Sequence, residues 1–325
     1  MANAIAIMLA GSCCAFLFEI NELDFQFMDN SIVSHQNLPD NIKKLAAQRH
    51  FYSRAKRLTA VQAAVDVLSP IAGAVAVVLK PDADVWAATI GVAVALLDAL
   101  WLEPKQSGFR ELGANVQEEF DCSVLELPWN TPLAGERVSA EDIHEAYKTC
   151  KPSKSAPLED WYPKAVGTLP LYQARLVCQR TNSWWDSKLR RRYCGWIGGM
   201  LSVVIACVII LGLINGMSLQ KFVLAVVAPL LPAVLWAGRE YQRQKDTALR
   251  SDRLKAYGES LWEQVVRNEV DESEVSKRSR ELQDAILIRR QESAPVFDWI
   301  YKLLRSKHEE QMNVGAQKMV DEITR

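Results

Sequence analysis

The sequence has few of the residues and patterns that hold metals, close disulfides or perform catalysis. Its four histidines, His35, His50, His144 and His308, are scattered. None forms an H-E-x-x-H pair or another ligand spacing. The seven cysteines, Cys13, Cys14, Cys122, Cys150, Cys178, Cys194 and Cys207, are odd in number and contain no C-x-x-C pair. That argues against a disulfide framework or a zinc site and for reduced thiols. There is no G-x-x-x-x-G-K-[ST] loop, no G-x-G-x-x-G turn and no G-x-S-x-G elbow. The reading is of a non-enzyme with no cofactor and no metal. The net charge of −1 over 325 residues lacks the basic excess of a surface that coats nucleic acid, so no DNA or RNA polymer is expected as a partner.

Apolar residues are plentiful and segregated. Of the chain, 49% is hydrophobic, concentrated in four runs: 61–79, 84–102, 196–214 and 219–238. Each is near the roughly 20 residues that cross a hydrocarbon core of about 30 Å at 1.5 Å per residue. The third, WIGGMLSVVIACVIILGLI, carries no charge; the fourth carries Pro229 and Pro232, which are expected to kink it. The first contains Gln62, Asp66, Ser69 and Pro70, and a buried helix of a soluble body is its alternative. Trp86, Trp101, Trp196 and Trp236 each fall near the end of a run, where an amphipathic ring prefers the headgroup layer.

Basic residues set the orientation. Lys43, Lys44, Arg49, Arg54, Lys56 and Arg57 precede the first run. Lys188, Arg190, Arg191 and Arg192 precede the third, and Arg239, Arg243 and Lys245 follow the fourth. The positive-inside rule then places the amino-terminal arm, the central segment and the tail in the cytoplasm of a multi-pass membrane protein. Residues 1–27 read as a doubtful apolar extension: they lack the basic start of a signal peptide. Translation from Met28 is the preferred account and a fifth span the alternative.

The expected fold is therefore mainly α: a polytopic membrane protein with two transmembrane helical hairpins, a cytoplasmic mostly helical insert with a short strand between them, and a cytoplasmic helical tail. The bounds are an amphipathic arm (28–60), hairpin 1 (61–102), the central domain (103–195), hairpin 2 (196–238) and the tail (239–325). In the insert, a helix is expected from Ser107 to Phe120. A short strand is expected in DCSVLELPWN, from its alternation at Cys122, Val124 and Leu125–Leu127. Ser139, with Asp142 three residues on, reads as a helix start. One long helix, LPLYQARLVCQRTNSWWDSKLRRRYCGW, is expected to feed the third run. In the tail, Leu254, Tyr257, Leu261 and Val265 form one helical stripe, and Leu282, Ile286 and Arg289–Arg290 continue on a second helix. Ala294–Pro295 ends that helix and VFDWIYKLL starts a third. Both stripes read as packing faces, against the insert or another subunit.

Topology gives two acids inside the runs a common depth. Asp66 lies 13 residues before Leu79, and Asp98 lies 14 residues after Asp84. At 1.5 Å per residue both sit about 20 Å from the outer surface. Acids in spans normally face the bundle interior or water. In a homo-oligomer, Asp66 and Asp98 are candidate pore-lining residues that would favour cations; a hydrogen bond within a non-conducting bundle is the alternative.

Several stretches resemble a known family: LAAQRHFYSRAK (Leu45–Lys56), FDCSVLELPWN (Phe120–Asn130), DWYP (Asp160–Pro163) and ARLVCQRTNSWWDSKLRRRY (Ala174–Tyr193). With the layout of hairpin, insert, hairpin and tail, the chain resembles the SMODS-associating four-transmembrane (S-4TM) pore-forming effectors of bacterial CBASS-like antiphage systems. The resemblance covers about residues 30–325. It implies a membrane effector that acts on the lipid bilayer as a homo-oligomer. A cyclic oligonucleotide from an operon-partner nucleotidyltransferase would activate it, and permeabilisation would cause abortive infection. If such a ligand binds directly, its phosphates call for arginine forks and its bases for aromatic faces. The candidates are then Arg175, Arg180, Trp184 and Trp185 on one helix, with Trp129, Trp161 and Tyr162 upstream. A membrane-anchored scaffold, or a small transporter without pore-forming activity, is the alternative.

Overall fold

The computed structural model describes residues 30–79, 84–150, 158–214, 216, 218–223 and 227–323; residues 1–27 and the tips of both expected hairpins lie outside them. The described residues form helices, turns and connecting loops, with no strand among them. The helices are α1 (Ile32–His35), α2 (Pro39–Leu79), α3 (Asp84–Leu97), α4 (Glu103–Val124), α5 (Thr131–Ala134), α6 (Ala140–Thr149), α7 (Leu171–Ile214), α8 (Leu219–Phe222), α9 (Ala228–Val266), α10 (Glu272–Glu292) and α11 (Asp298–Ile323).

Three of these helices run without interruption through an expected domain boundary. α2 joins the basic arm to the first apolar run, α7 joins the insert to the third, and α9 joins the fourth to the tail. In each, one end is packed and the other is exposed. Along α7, Ala174, Leu176, Val177 and Cys178 are buried, whereas Met200, Val203, Ile210 and Leu213 are exposed. Exposed Trp86, Ile90, Val92 and Leu96 do the same along α3. Contiguous exposed apolar surface of this kind, beside charged stretches that are packed, marks a site of interaction with a membrane or another protein. Among the described residues, one helix, Leu171–Ile214, is long and apolar enough to cross a membrane. The second apolar run is divided: α3 gives way at Asp98 to a five-residue π-helical turn, Asp98–Leu102.

The packed ends make one helical body. Its main core joins Phe120, Val124 and Leu125 of α4 and the following turn, Leu176 and Val177 of α7, Leu261, Trp262 and Val265 of α9, and Val275 of α10. α9 packs along α7, and α2 along α4 and α6. A second cluster, Leu189, Tyr193, Ile197, Ala237, Val296 and Ile300, sits where α7 and α9 leave the body. Local chemistry sets several helix starts. Ser139 caps α6 by accepting the Asp142 N–H at 3.1 Å, and Asp271 caps α10 by accepting the Glu274 N–H at 2.8 Å. Pro229 lies in the first turn of α9, where its missing N–H leaves no bond unmade, and Pro232 lies inside the helix.

The expected strand is absent. Phe120–Val124 closes α4, and the chain then turns through Leu125 and Glu126, the latter at φ +51°. Val116, Phe120 and Val124, four residues apart, are all fully buried, which is a helical period. In the stretch that reads as a strand, exposed Ser123 and Glu126 fall between buried Cys122, Val124, Leu125 and Leu127, so a helix end and the turn after it imitate alternation. Nor does α4 begin at Ser107. It continues from the π-helical turn, and the Ser107 hydroxyl accepts from Arg110 Nη2 at 3.0 Å. In the tail, the stripe is buried at Leu261 and Val265 but Tyr257 is exposed, while Leu282 and Ile286 are buried.

Candidate functional site

Between the two apolar clusters, α7 becomes polar and yet stays buried: Gln179, Thr181, Ser183, Ser187 and Arg190 are at most 5% exposed. A cavity of about 230 Å3 opens there. From α7 it is lined by Thr181, Asn182, Trp185, Asp186, Leu189 and Arg190, residues that recur at one face of a helix. Over nine residues that face is about 14 Å long. Tyr52 and Lys56 of α2, Gln117 of α4, and Arg289 and Arg290 of α10 close other sides. Tyr301, Arg305, Glu309 and Met312 of α11 and the loop 159–162 complete it.

Two buried ionic clusters hold its walls. Asp186 accepts from Arg190 Nε at 2.9 Å and from the Ser251 hydroxyl at 2.7 Å, and pairs with Arg289. Burial pushes the Asp186 carboxyl up, but the charges of Arg190 and Arg289 outweigh it and hold it well below the usual carboxylate range. Arg190 also reaches Gln244 Oε1 at 2.5 Å and the Ala294 carbonyl at 2.8 Å. In the second cluster Asp121 accepts from Arg290 Nη1 at 2.7 Å, Tyr162 Oη at 2.7 Å and Gln283 Nε2 at 3.0 Å. Beside it Glu118 accepts from Arg280 Nη2 and Gln283 Nε2, both at 2.7 Å. Burial and the neighbouring Asp121 raise the Glu118 pKa, against the pull of Arg290 and Arg280.

The residues expected to bind a ligand are divided by the structure. Trp161, Tyr162 and Trp185 line the cavity. Arg175 is turned away, donating to the carbonyls of Leu125 at 2.5 Å and Glu126 at 2.7 Å. Arg180 forms a fork on Glu259 Oε1, at 2.9 and 2.6 Å. Trp184 meets His308 edge-on, and Trp129 donates to the Gly135 carbonyl and lies against Arg137. The cationic side of the cavity comes instead from Arg190, Arg289 and Arg290. Arg190 reads in sequence as a membrane anchor. Arg289 and Arg290 did carry a signal: they continue the register of Leu282 and Ile286, which is an odd place for charge unless it is buried.

The two acids of the apolar runs come to one place. Asp98, at the start of the π-helical turn, accepts from Gln62 Nε2 at 3.1 Å, and its other oxygen is buried with no hydrogen-bond partner among the described residues. Asp66, one turn beyond Gln62, is within electrostatic reach of Asp98, Arg239 and Arg243.

Long helices that run from an ion-paired body into exposed apolar ends define a class: helical proteins with membrane-directed segments. The chain belongs to the family of SMODS-associating 4TM effector domains, whose model matches residues 30–319. It is also 26% identical, over 288 residues, to a probable CBASS effector molecule of Bacillus cereus (strain VD146), covering 86% of this chain and 95% of that protein. No solved structure matches the chain.

Proposed function

We propose that the protein is an inner-membrane effector of a CBASS-type antiphage system. A nucleotide second messenger or a partner protein activates it, and it self-assembles and permeabilises the membrane, so that the infected cell fails before phage are released. Family membership and the Bacillus relative support the effector role. The observation that carries the membrane step is the continuity of α7: one helix is packed in the body over its first half and apolar and exposed over its second. On this reading the runs 61–79, 84–102, 196–214 and 219–238 all span the bilayer, and the arm, insert and tail lie in the cytoplasm.

Asp66 and Asp98 are the proposed acids of the conducting path. Within one chain Asp98 uses one oxygen on Gln62 and keeps the other for water or a second copy. The test is membrane potential and dye entry in cells carrying the protein, with and without phage infection. Depolarisation that follows infection supports the reading. Growth arrest without depolarisation would make it a scaffold, and substrate-dependent flux without killing would make it a transporter. Asp66→Asn and Asp98→Asn are expected to lower the preference for cations over anions severalfold in planar bilayers; unchanged selectivity removes these acids from the path.

A further inference from the structure

We propose that the cavity at the polar middle of α7 is a nucleotide-binding site, with the phosphate seated on Arg289 and Arg290 and the base against Trp185 and Tyr301. The anion seat stands on geometry alone. The choice of a nucleotide among phosphate esters rests on the effector reading above.

Three buried polar atoms on residues that line the cavity have no hydrogen-bond partner among the described residues: Arg289 Nε, Arg290 Nη2 and Thr181 Oγ1, on residues that are 6%, 6% and 2% exposed. A buried donor without an acceptor is costly, and almost all such groups in folded proteins are satisfied. Of the acids on the walls, Glu159 is exposed to solvent and the other three are engaged. Asp186 serves Arg190, Arg289 and Ser251, Glu309 pairs with Arg305, and Asp160 serves Lys164 and Asn37. Lys56 is paired with Asp298 outside the lining. Arg190 and Arg290 also act on Arg289 as like charges, which together with burial lowers its pKa against the pull of Asp186. A phosphate oxygen would accept from the idle nitrogens and offset that repulsion.

The rest of the lining suits a base rather than a bare ion. Trp185 and Tyr301 stand 6.4 Å apart between ring centroids, tilted by 49°, and Trp161 and Tyr162 line the far wall. Aromatic faces take bases of any sequence. The volume, about 230 Å3, is close to the lower end of small-molecule sites at ~300 Å3. It therefore takes one nucleotide unit, and the remainder of a larger ligand lies in the mouth.

The experiment is calorimetric titration of the full chain in detergent with cyclic di-AMP, cyclic di-GMP, cyclic GMP–AMP, AMP and inorganic phosphate, beside flotation with phosphatidylglycerol vesicles. At least one nucleotide is expected to bind, and at least tenfold more tightly than inorganic phosphate. Trp185→Ala and Arg289→Gln should weaken it tenfold or more. Thr181→Val removes only an idle hydroxyl and should weaken it severalfold with an unchanged melting temperature. Arg175→Ala, which lies outside the cavity, should leave it unchanged. Equal affinity for inorganic phosphate would overturn the nucleotide. Vesicle binding that Arg289→Gln abolishes, with no nucleotide bound, would overturn it in favour of a lipid headgroup. Infected cells that still depolarise when they carry Trp185→Ala or Arg289→Gln protein that no longer binds nucleotide would overturn the site as the trigger but leave the effector reading intact. A wild type that binds nucleotide and never depolarises cells would do the reverse.

Discussion

Asp186→Asn tests the ionic arrangement most directly. The carboxylate is the shared partner of Arg190 and Arg289, both 6% exposed at the side chain, and it also accepts from Ser251. Breaking a buried ion pair from one side costs about 3–5 kcal/mol, because the remaining charge stays buried. Arg190 keeps Gln244 and the Ala294 carbonyl, and asparagine keeps one accepting oxygen, so the lower figure, about 3 kcal/mol, is expected. With an unfolding entropy of about 2.1 cal/mol/K per residue, that is a fall of about 4 °C in apparent melting temperature for a chain of 325 residues. Arg191→Ala is the control: Arg191 also pairs with an aspartate, Asp252, but is 57% exposed, so its loss should cost about 1 kcal/mol or less. The assay is unfolding of the full chain in detergent, followed by tryptophan fluorescence. Acid provides a second arm. The folded pKa of Asp186 is depressed, so its contribution is complete above the unfolded value of 3.8 and is lost as pH falls towards the folded value. The gap between wild type and Asp186→Asn should therefore be full at pH 6 and narrow below about pH 4. A loss no larger than that of Arg191→Ala, or a gap that does not narrow in acid, would refute the argument.

Other substitutions probe other parts of the body. Arg175→Ala removes two charge-assisted bonds that hold the Leu125–Glu126 turn, and should lower stability by about 2–3 kcal/mol in urea unfolding. His308 is buried, with Trp184 and Trp185 edge-on to it; burial first, then Arg192, Lys188 and Lys307, lowers its pKa below 6.5. Stability should therefore fall as pH drops through 6.5, by up to about 1.4 kcal/mol per pH unit, and His308→Phe should flatten that limb of the melting profile. Gly195 sits inside α7 between the body and the apolar half, and a Cβ there meets nothing within 4 Å. Gly195→Pro breaks the helix at that point; nucleotide titration should be unchanged while depolarisation is lost, and retained depolarisation would show that α7 need not be continuous.

The mainly helical fold was legible from the helical periods, and two helix ends were legible because Ser139 and Ala294–Pro295 punctuate helices by local chemistry. The expected strand failed because the helix ends at Val124 and the chain turns through Leu125–Leu127, with exposed Ser123 and Glu126 between buried neighbours. Over so short a stretch a helix end and a turn give the same alternation as a strand. Aromatic candidates fared better than cationic ones. Trp161, Tyr162 and Trp185 are rings that pack towards the interior wherever they are, whereas an arginine's role depends on its nearest acceptor. Arg175 found carbonyls and Arg180 found Glu259, both supplied by residues at least 49 positions away in sequence. Arg190 is on α7 itself, but Arg289 and Arg290 come from the tail, about 100 residues further on, so only the folded chain shows them together.

Polarity at the middle of α7 has a mechanical consequence. Below it, Ala174, Leu176, Val177 and Cys178 are fixed in the main core; above it, Leu189, Tyr193 and Ile197 belong to the cluster where the helices leave the body. Apolar contacts of that kind are close-packed and resist small shifts. The layer between them is held by ion pairs and side-chain hydrogen bonds, from Gln179 on Ser279 and Gln283 to Ser187 on Asp252 and Arg190 on Gln244. Of these, the bonds of Arg190 to Gln244 and Asp186 are the ones an anion on the guanidinium would compete with. A ligand at this level therefore acts where α7, α9 and α10 can change partners without breaking either apolar cluster. Because α7 and α9 continue from there into apolar ends, a change of partner in the body would change their tilt if those ends span the bilayer as proposed. On the proposed reading, signal and response would then lie on the same two helices.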